Sequence, residues 1–353
     1  MSIKWADTRS VLAEHVRGQT AQCLAAYRAK PNLIEQDAGI EISNVEGGYG
    51  RKQLHELVQN AADAMVGSRG RVALILSGQT LYCANEGNPL SRSGIETLMA
   101  SHLSRKRDDE IGRFGLGFKS VLGISDRPEI LSRSVSIRFD RKTSERHARS
   151  ILPDAPRTPV LRIGEPIDPV AESSTDRVLA GLMTWASTIV RLPLMGDVEW
   201  LGEKLQAFPP EFLLFASHVE RLDLFNELPA EHVSWRAVRD GNRIELVSEK
   251  TKEIWKVFRA THVPSPAARK DAGVISGRER IDLTWAVPEK KRSRTGVFWS
   301  YFPTNSQTSL TGIVNAPFKT NEGPARHPRR RVQPRNLGKS TSRPGESQYS
   351  RAR

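Results

Sequence analysis

The chain has 353 residues, a formal net charge of +13, and hydrophobic side chains at 38% of positions. That length predicts one large or two medium domains, with enough apolar residues for a real core. No apolar run of about 18 residues is present and the N-terminal stretch has no apolar h-region, so neither a membrane span nor a secretion signal is expected and a cytoplasmic location is.

Residues 6–29 carry apolar Val11, Leu12, Val16, Ala21, Leu24, Ala25 and Tyr27 in a helical pattern, and Pro31 ends it. Cys23 in this helix and Cys83 in a later strand are expected as buried thiols, not as a disulfide or a metal site, and the eight histidines show no ligand spacing. Residues 30–50 read as irregular and close in Gly47-Gly48-Tyr49-Gly50. A helix follows, because Leu54, Leu57, Val58, Ala61 and Met65 recur at i, i+3, i+4, i+7 and i+11. Opposite that stripe, Glu56, Asn60 and Asp63 fall within roughly 60° of one another at about 100° per residue. The polar stripe holds no Lys or Arg and is flanked by Ala61, Ala62 and Ala64. It is either a solvated helix face or a place where two carboxylates and an amide meet a closely approaching ligand.

Apolar runs at 72–76 and 80–84 flank Gly78-Gln79 and predict a hairpin. Asn85-Glu86-Gly87-Asn88-Pro89 then breaks the strand. A polar side chain at a strand end, followed by glycine, suits a flat heterocycle lying on the backbone, and it also suits an ordinary turn. Ile95, Leu98, Met99 and Leu103 have helical spacing, and the charged run from Arg105, Lys106 and Arg107 to Glu110 follows. Next, Gly112-Arg113-Phe114-Gly115-Leu116-Gly117-Phe118-Lys119-Ser120 leads into apolar 121–124. Three glycines ahead of a helix start expose backbone N–H groups, which favour an anion. The spacing matches neither a Walker A loop nor a dinucleotide-binding fingerprint.

Strand-like segments come next at 129–131, 134–139, 160–163 and 186–192, with Pro153, Pro156, Pro159, Pro166 and Pro169 marking loops. Together with the hairpin they predict an α/β sandwich, a mixed sheet with helices on one face. From about residue 197 a second unit begins with a turn and helix at 208–215. Its strands are expected at 218–224, 233–238, 243–248, 251–262, 281–287 and 296–302, with Asp240-Gly241-Asn242 as a hairpin signal. Residues 323–353 carry eight Arg and one Lys against one Glu, and no Ile, Phe or Trp. They hold eight of the thirteen net positive charges and are expected to be disordered. They read either as a natural basic tail for nucleic acid or as the product of a lost reading frame.

As a set, Glu56-x-x-x-Asn60-Ala61-x-Asp63-Ala64, Asn85-x-Gly87 and Gly112-x-x-Gly115-x-Gly117-x-Lys119-Ser120 resemble the N, G1 and G2 boxes of the GHKL ATPases. The wording is closest to the sacsin-like, heat-shock-chaperone branch, over roughly residues 40–322. The resemblance implies a Bergerat-type α/β ATP-binding domain at 1–195, a partial α+β transducer or middle-like domain at 196–322, and the basic tail at 323–353. It implies ATP and Mg²⁺ as cofactors. Glu56 would polarise the attacking water and Asn60 would hold the magnesium, with Asp63 on the same face. Asn85, beside Gly87, would accept from the adenine amino group, and Thr188 would lie beneath the base. Gly112, Arg113, Phe114, Gly115, Leu116, Gly117 and Lys119 would surround the phosphates, and Lys319 would reach the γ-phosphate from the second unit. The family places its ATP lid between the second and third boxes. Asn85 departs from the Asp of most of the superfamily: its amide oxygen still accepts, but the NH₂ adds a donor and the charge is gone. The implied function is Mg-dependent ATP binding and slow hydrolysis that drives lid closure, with protein clients or a larger assembly as partners and an ATP-dependent dimer. The alternatives are a DNA-linked ATPase of repair, topoisomerase or genome-defence type, a non-hydrolysing ATP-binding module, and a gene fragment. A histidine kinase fits poorly, since His15 lacks a helical-hairpin context.

Overall fold

A computed structural model describes residues 4–46, 52–100, 117–271, 279–290 and 296–318, so the basic tail lies outside the described residues. The described residues all belong to one compact unit, Met1–Glu322. Its N-terminal helix α1 (Val11–Ala29) is capped by Ser10, whose hydroxyl accepts from Ala13 N. Residues expected to be irregular form α2 (Leu33–Glu46) instead. Its buried face is Ile34, Asp37, Ala38 and Glu41. Half of that face is acidic, so the apolar spacing that announces a helix is absent although the helical period is there.

The central layer is α3 (Gln53–Asp63) on a hairpin, β1 (Gly70–Ser77) and β2 (Thr80–Asn85). The two strands pair antiparallel from Val72↔Asn85 to Ser77↔Thr80, and Gly78 turns the chain at φ +51°. Strand alternation sends Val72, Leu74, Leu76, Leu81 and Cys83 into the same core as Leu54, Leu57, Val58, Ala61 and Met65 of α3. Cys83 and Cys23 are both buried free thiols, as expected. After α4 (Arg92–Met99), capped by Ser91, a short 3-10 helix (Phe118–Gly123) follows Gly117.

β3 (Glu129–Ser132), β4 (Ser136–Phe139), β5 (Gly164–Pro166) and β6 (Thr188–Pro193) extend the sheet on one side of β2. The strand expected at 160–163 is not there. Val160 and Leu161 are buried without strand partners, because the Glu41 carboxylate accepts their N–H groups. A side chain takes the place of a sheet neighbour.

Three helices lie where only loops and strands are expected: α5 (Arg141–Arg149), α6 (Pro169–Ser173) and α7 (Arg177–Met183). Each has an Asp N-cap, Asp140, Asp168 and Asp176 respectively, whose carboxylate accepts from the first turn. Those caps were the signal in the sequence, reinforced by Pro169 at the first turn of α6. Helices are therefore not confined to one face. The second face of the sheet, with Tyr82, Ala84, Leu131 and Ile189, packs against Leu179 and Leu182 of α7 and against Trp5.

After α8 (Glu199–Gln206) the chain re-enters the same sheet. β7 (Val219–Asn226) runs parallel to β1, and β8 (Glu231–Asp240), β9 (Arg243–Val247), β10 (Lys252–His262) and β11 (Ile281–Pro288) follow as an antiparallel meander. One short helix, α9 (Pro266–Asp271), precedes β11, and β12 (Gly296–Ser300), β13 (Phe302–Thr308) and β14 (Ile313–Asn315) close the far edge. The result is an α/β unit around one large mixed sheet, fourteen strands among the described residues. The boundary expected near residue 195 falls between β6 and α8, and the sheet runs across it.

On the second face, Glu129 is fully buried and accepts from Arg138 Nε at 2.7 Å and from Arg191 Nε. Arg191 also meets Glu172 and, at 3.1 Å, Asp176. These pairs rivet α6 and α7 to β3, β4 and β6. Removing one member leaves the others buried and uncompensated, so Glu129→Ala is expected to lose about 3–5 kcal/mol of unfolding free energy. Urea denaturation checks this; a loss under about 1 kcal/mol, the scale of an exposed pair, would show the cluster to be marginal.

Candidate functional site

Helix α3 has Gly87 at its C-terminal end and Gly117 against Glu56. On its polar face Asn60 is 6% exposed, and among the described residues neither its Oδ1 nor its Nδ2 has a hydrogen-bond partner. Glu56 lies one turn before it and Asp63 nearly one turn after, both half-buried and both engaged with neighbours. Packing of the opposite face forces this arrangement, since the apolar residues that bury α3 leave Asn60 no freedom to turn outward.

Gly117 ends the glycine loop directly against Glu56. A Cβ on Gly117 would stand 1.9 Å from Glu56 Oε2 and 2.9 Å from its Cδ, so any side chain there would displace the carboxylate from this position. Gly87 fits the other end of the helix. It takes φ +116°, and a Cβ there would lie 2.8 Å from the Ala64 carbonyl oxygen. The adjoining Asn88 N–H donates to that same carbonyl at 2.9 Å. Residues 85–88 are thereby clipped to the C-terminal end of α3, which accounts for Gly87 on structural grounds.

Asn85 is 4% exposed, and its Nδ2 donates to the Glu86 carbonyl at 2.7 Å. A carbonyl only accepts, so this bond sets the amide orientation and leaves Oδ1 as the acceptor that Asn85 presents. One of the two N–H donors that distinguish Asn from Asp is thus used within the chain. Thr188 stands opposite Asn85 across β2 and β6, and Ser132 stands opposite Thr188 across β6 and β3. Their hydroxyls are 3.0 Å apart, and Ser132 Oγ also accepts from Leu90 N at 2.8 Å. Ser132, which sequence reasoning did not single out, holds both Thr188 and the chain leaving the strand end.

Lys119 is 2% exposed and its Nζ donates to the Ala100 carbonyl at 3.0 Å. Burial lowers its pKa to about 8, while Glu41 draws it back up. Ser120 beside it is buried, its hydroxyl without a partner among the described residues, as is Gln53 Oε1 at the start of α3. Gly112, Arg113, Phe114, Gly115 and Leu116, the charged run after Ala100, and Lys319 lie outside the described residues. The structure therefore brings together Glu56, Asn60, Gly87 and Gly117 around α3, and Asn85 with Thr188 at the adjoining strand ends. Among the described residues no group of three or more His, Cys, Asp or Glu forms a metal cluster, and no helix is long and apolar enough to cross a membrane. No protein-family model matches the chain, and no curated protein does.

Glu41 sits behind the 3-10 helix, 4% exposed, accepting from Val160 N at 2.7 Å and Leu161 N at 2.9 Å. Burial raises its pKa from the ordinary 4.5 to about 7, against those two N–H groups and the charges of Lys119 and Arg141. A folded-state value above the unfolded one contributes stability that is complete below pH 4.5 and is lost as pH rises through about 7. The Gln variant lacks this dependence. The stability of the parent relative to Glu41→Gln is therefore expected to fall by a few kcal/mol between pH 4.5 and 7.5, at roughly 1.4 kcal/mol for each tenfold change in proton affinity. Denaturant titrations at the two pH values measure it, and an unchanged difference would show that Glu41 titrates as an ordinary carboxyl.

Proposed function

We propose that this chain is a GHKL-type ATP-binding protein of the sacsin and heat-shock-chaperone branch, which binds Mg-ATP on the polar face of α3 and hydrolyses it slowly. The observation that carries the reading is Asn60. A buried amide with neither atom partnered costs about 1–3 kcal/mol, and folds keep such groups where something else completes them. Here the orphaned amide stands between a carboxylate lodged against Gly117 and a strand end that presents an acceptor from Asn85. That grouping matches what a nucleotide and its metal ask for: an oxygen for the cation, a carboxylate near the phosphates and an acceptor for an amino group.

Magnesium prefers oxygen ligands and retains water, so one amide oxygen from Asn60 would suffice beside phosphate oxygens; the ion would neutralise phosphate charge. Glu56 would accept a proton from the attacking water as the bond to the γ-phosphate breaks. Asp63 and Gly117 would line the same face. Asn85 and Thr188 would hold the adenine, and loop residues 112–116 and Lys319 keep the roles the resemblance implies. Turnover that couples to closure, client proteins and an ATP-dependent dimer belong to the same proposal.

Asn60→Ala is expected to weaken Mg-ATP binding at least about tenfold while leaving the nucleotide-free thermal midpoint unchanged or raised, because it deletes an unsatisfied buried group. Glu56→Ala is expected to keep binding and lose about 10²-fold in turnover. Calorimetry follows binding and phosphate release follows turnover. An Asn60→Ala protein that binds Mg-ATP like the parent but melts several degrees lower would sink the reading, since the amide would then be serving the fold. Tight binding with no phosphate release in the parent would instead favour a module that holds ATP without turning it over.

A further inference from the structure

We propose that Lys119 is a positioning residue that, with Arg162, pins the end of α4 and so holds Gly117 against Glu56, rather than a ligand for phosphate; this rests on the nucleotide reading of the site. Two cations converge on the last carbonyls of α4. Lys119 Nζ donates to Ala100 O at 3.0 Å, and Arg162 Nη1 donates to Met99 O. Helix C-termini carry partial negative charge and unpaired carbonyls, so cations there stabilise the terminus.

Both cations are held from behind by α2. Arg162 Nε donates to Asp37 Oδ2 at 2.9 Å, and Asp37 Oδ2 also accepts from the Tyr27 hydroxyl at 2.7 Å. The charges acting on Lys119 are those of Glu41, Arg162 and Asp37. An ammonium 2% exposed has already given up its hydration and been compensated inside the protein. Delivering it to a phosphate would break the bond to Ala100 and unbalance Glu41 and Asp37.

The placement also has a consequence for the loop. Ala100 and Lys119 are nineteen residues apart in sequence, one at each end of the segment that carries the glycines. Gly117 precedes Lys119 by two residues and its Cα faces the Glu56 carboxylate. One charge-assisted hydrogen bond therefore ties Lys119 to Ala100 and sets where Gly117 sits relative to α3.

The test uses the full chain and reads the tie with and without nucleotide. Arg105, Lys106 and Arg107 are tryptic sites between the two tied residues. In the nucleotide-free protein, Lys119→Met is expected to speed cleavage there about tenfold, the scale of losing one bond that restrains local opening, while cleavage elsewhere, read well below the thermal midpoint, stays near the parent value even though the midpoint falls with the loss of a buried counter-charge. Lys119→Arg is expected to restore the parent rate. Mg-ATP affinity should fall about tenfold in Lys119→Met and recover in Lys119→Arg. Unchanged nucleotide-free cleavage together with lost Mg-ATP affinity would overturn the proposal and make Lys119 a phosphate ligand. Should Lys119→Met fail to fold, Arg162→Met takes the same readout at Met99, and no change in cleavage there counts against the proposal. Failure of the parent itself to bind Mg-ATP would remove the nucleotide reading, while the nucleotide-free cleavage would still decide the tie.

Discussion

The apolar face of α3 lies on the β1–β2 hairpin, and each part of the candidate site takes its position from that contact. Leu54, Leu57, Val58, Ala61 and Met65 bury against Val72, Leu74, Leu81 and Cys83, which sets the rotation of the helix about its axis. A rotation of one residue, about 100°, would carry Glu56 away from Gly117 and bring Leu57 or His55 into its place. The hydrophobic term is far larger than any gain from pairing Asn60, so the amide stays buried and unpartnered. The fold thereby holds the polar group in a position that its own hydrogen bonding does not favour, and on the proposed reading the metal of a bound nucleotide is what would complete it.

What was legible in the sequence is what local periodicity encodes. α3 and the hairpin declare themselves through spacings of three to four and of two, and the Glu56–Asn60–Asp63 face follows from the first of these. Most strands of residues 196–318 are equally legible, being long, alternating and punctuated by Asp240-Gly241-Asn242. Three of the helices not expected, α5, α6 and α7, were also written locally, in the caps Asp140, Asp168 and Asp176, but their bodies are five to nine residues long, too short for a helical repeat to stand out even in the apolar α7. That both faces of the sheet are covered could have been read from Tyr82 and Ala84, which are as apolar as the alternating Leu81 and Cys83.

What was not legible depends on pairs distant in sequence. α2 looks irregular because its core positions are Asp37 and Glu41, and their partners, Arg162 and the N–H groups of Val160 and Leu161, lie roughly 120 residues on. The same holds for Glu129 with Arg191, 62 residues apart. A buried charge is indistinguishable from a solvated one until its counter-charge is placed beside it. Lys119 shows this most directly. Next to a glycine-rich loop it reads as a phosphate ligand, and only the fold reveals the carbonyl and the carboxylates that already surround it.

α3 is also the joint between the two halves of the chain. His55 stacks on Phe302 with centroids 4.2 Å apart, and Phe302 stacks on Phe212 at 4.9 Å. Burial lowers the His55 pKa to about 4, so its ring is neutral at physiological pH and packs as an aromatic rather than as a cation. Residues 196–318 thus grip the central layer twice, through the β1–β7 ladder and through these rings on the helix. The ladder fixes strand positions to within a register step, whereas stacked rings are close-packed and transmit small displacements instead of absorbing them. α3 therefore bears on the hairpin with its apolar face and, through His55, on Phe302 of β13, which in turn stacks on Phe212 of the 3-10 turn Pro210–Leu214.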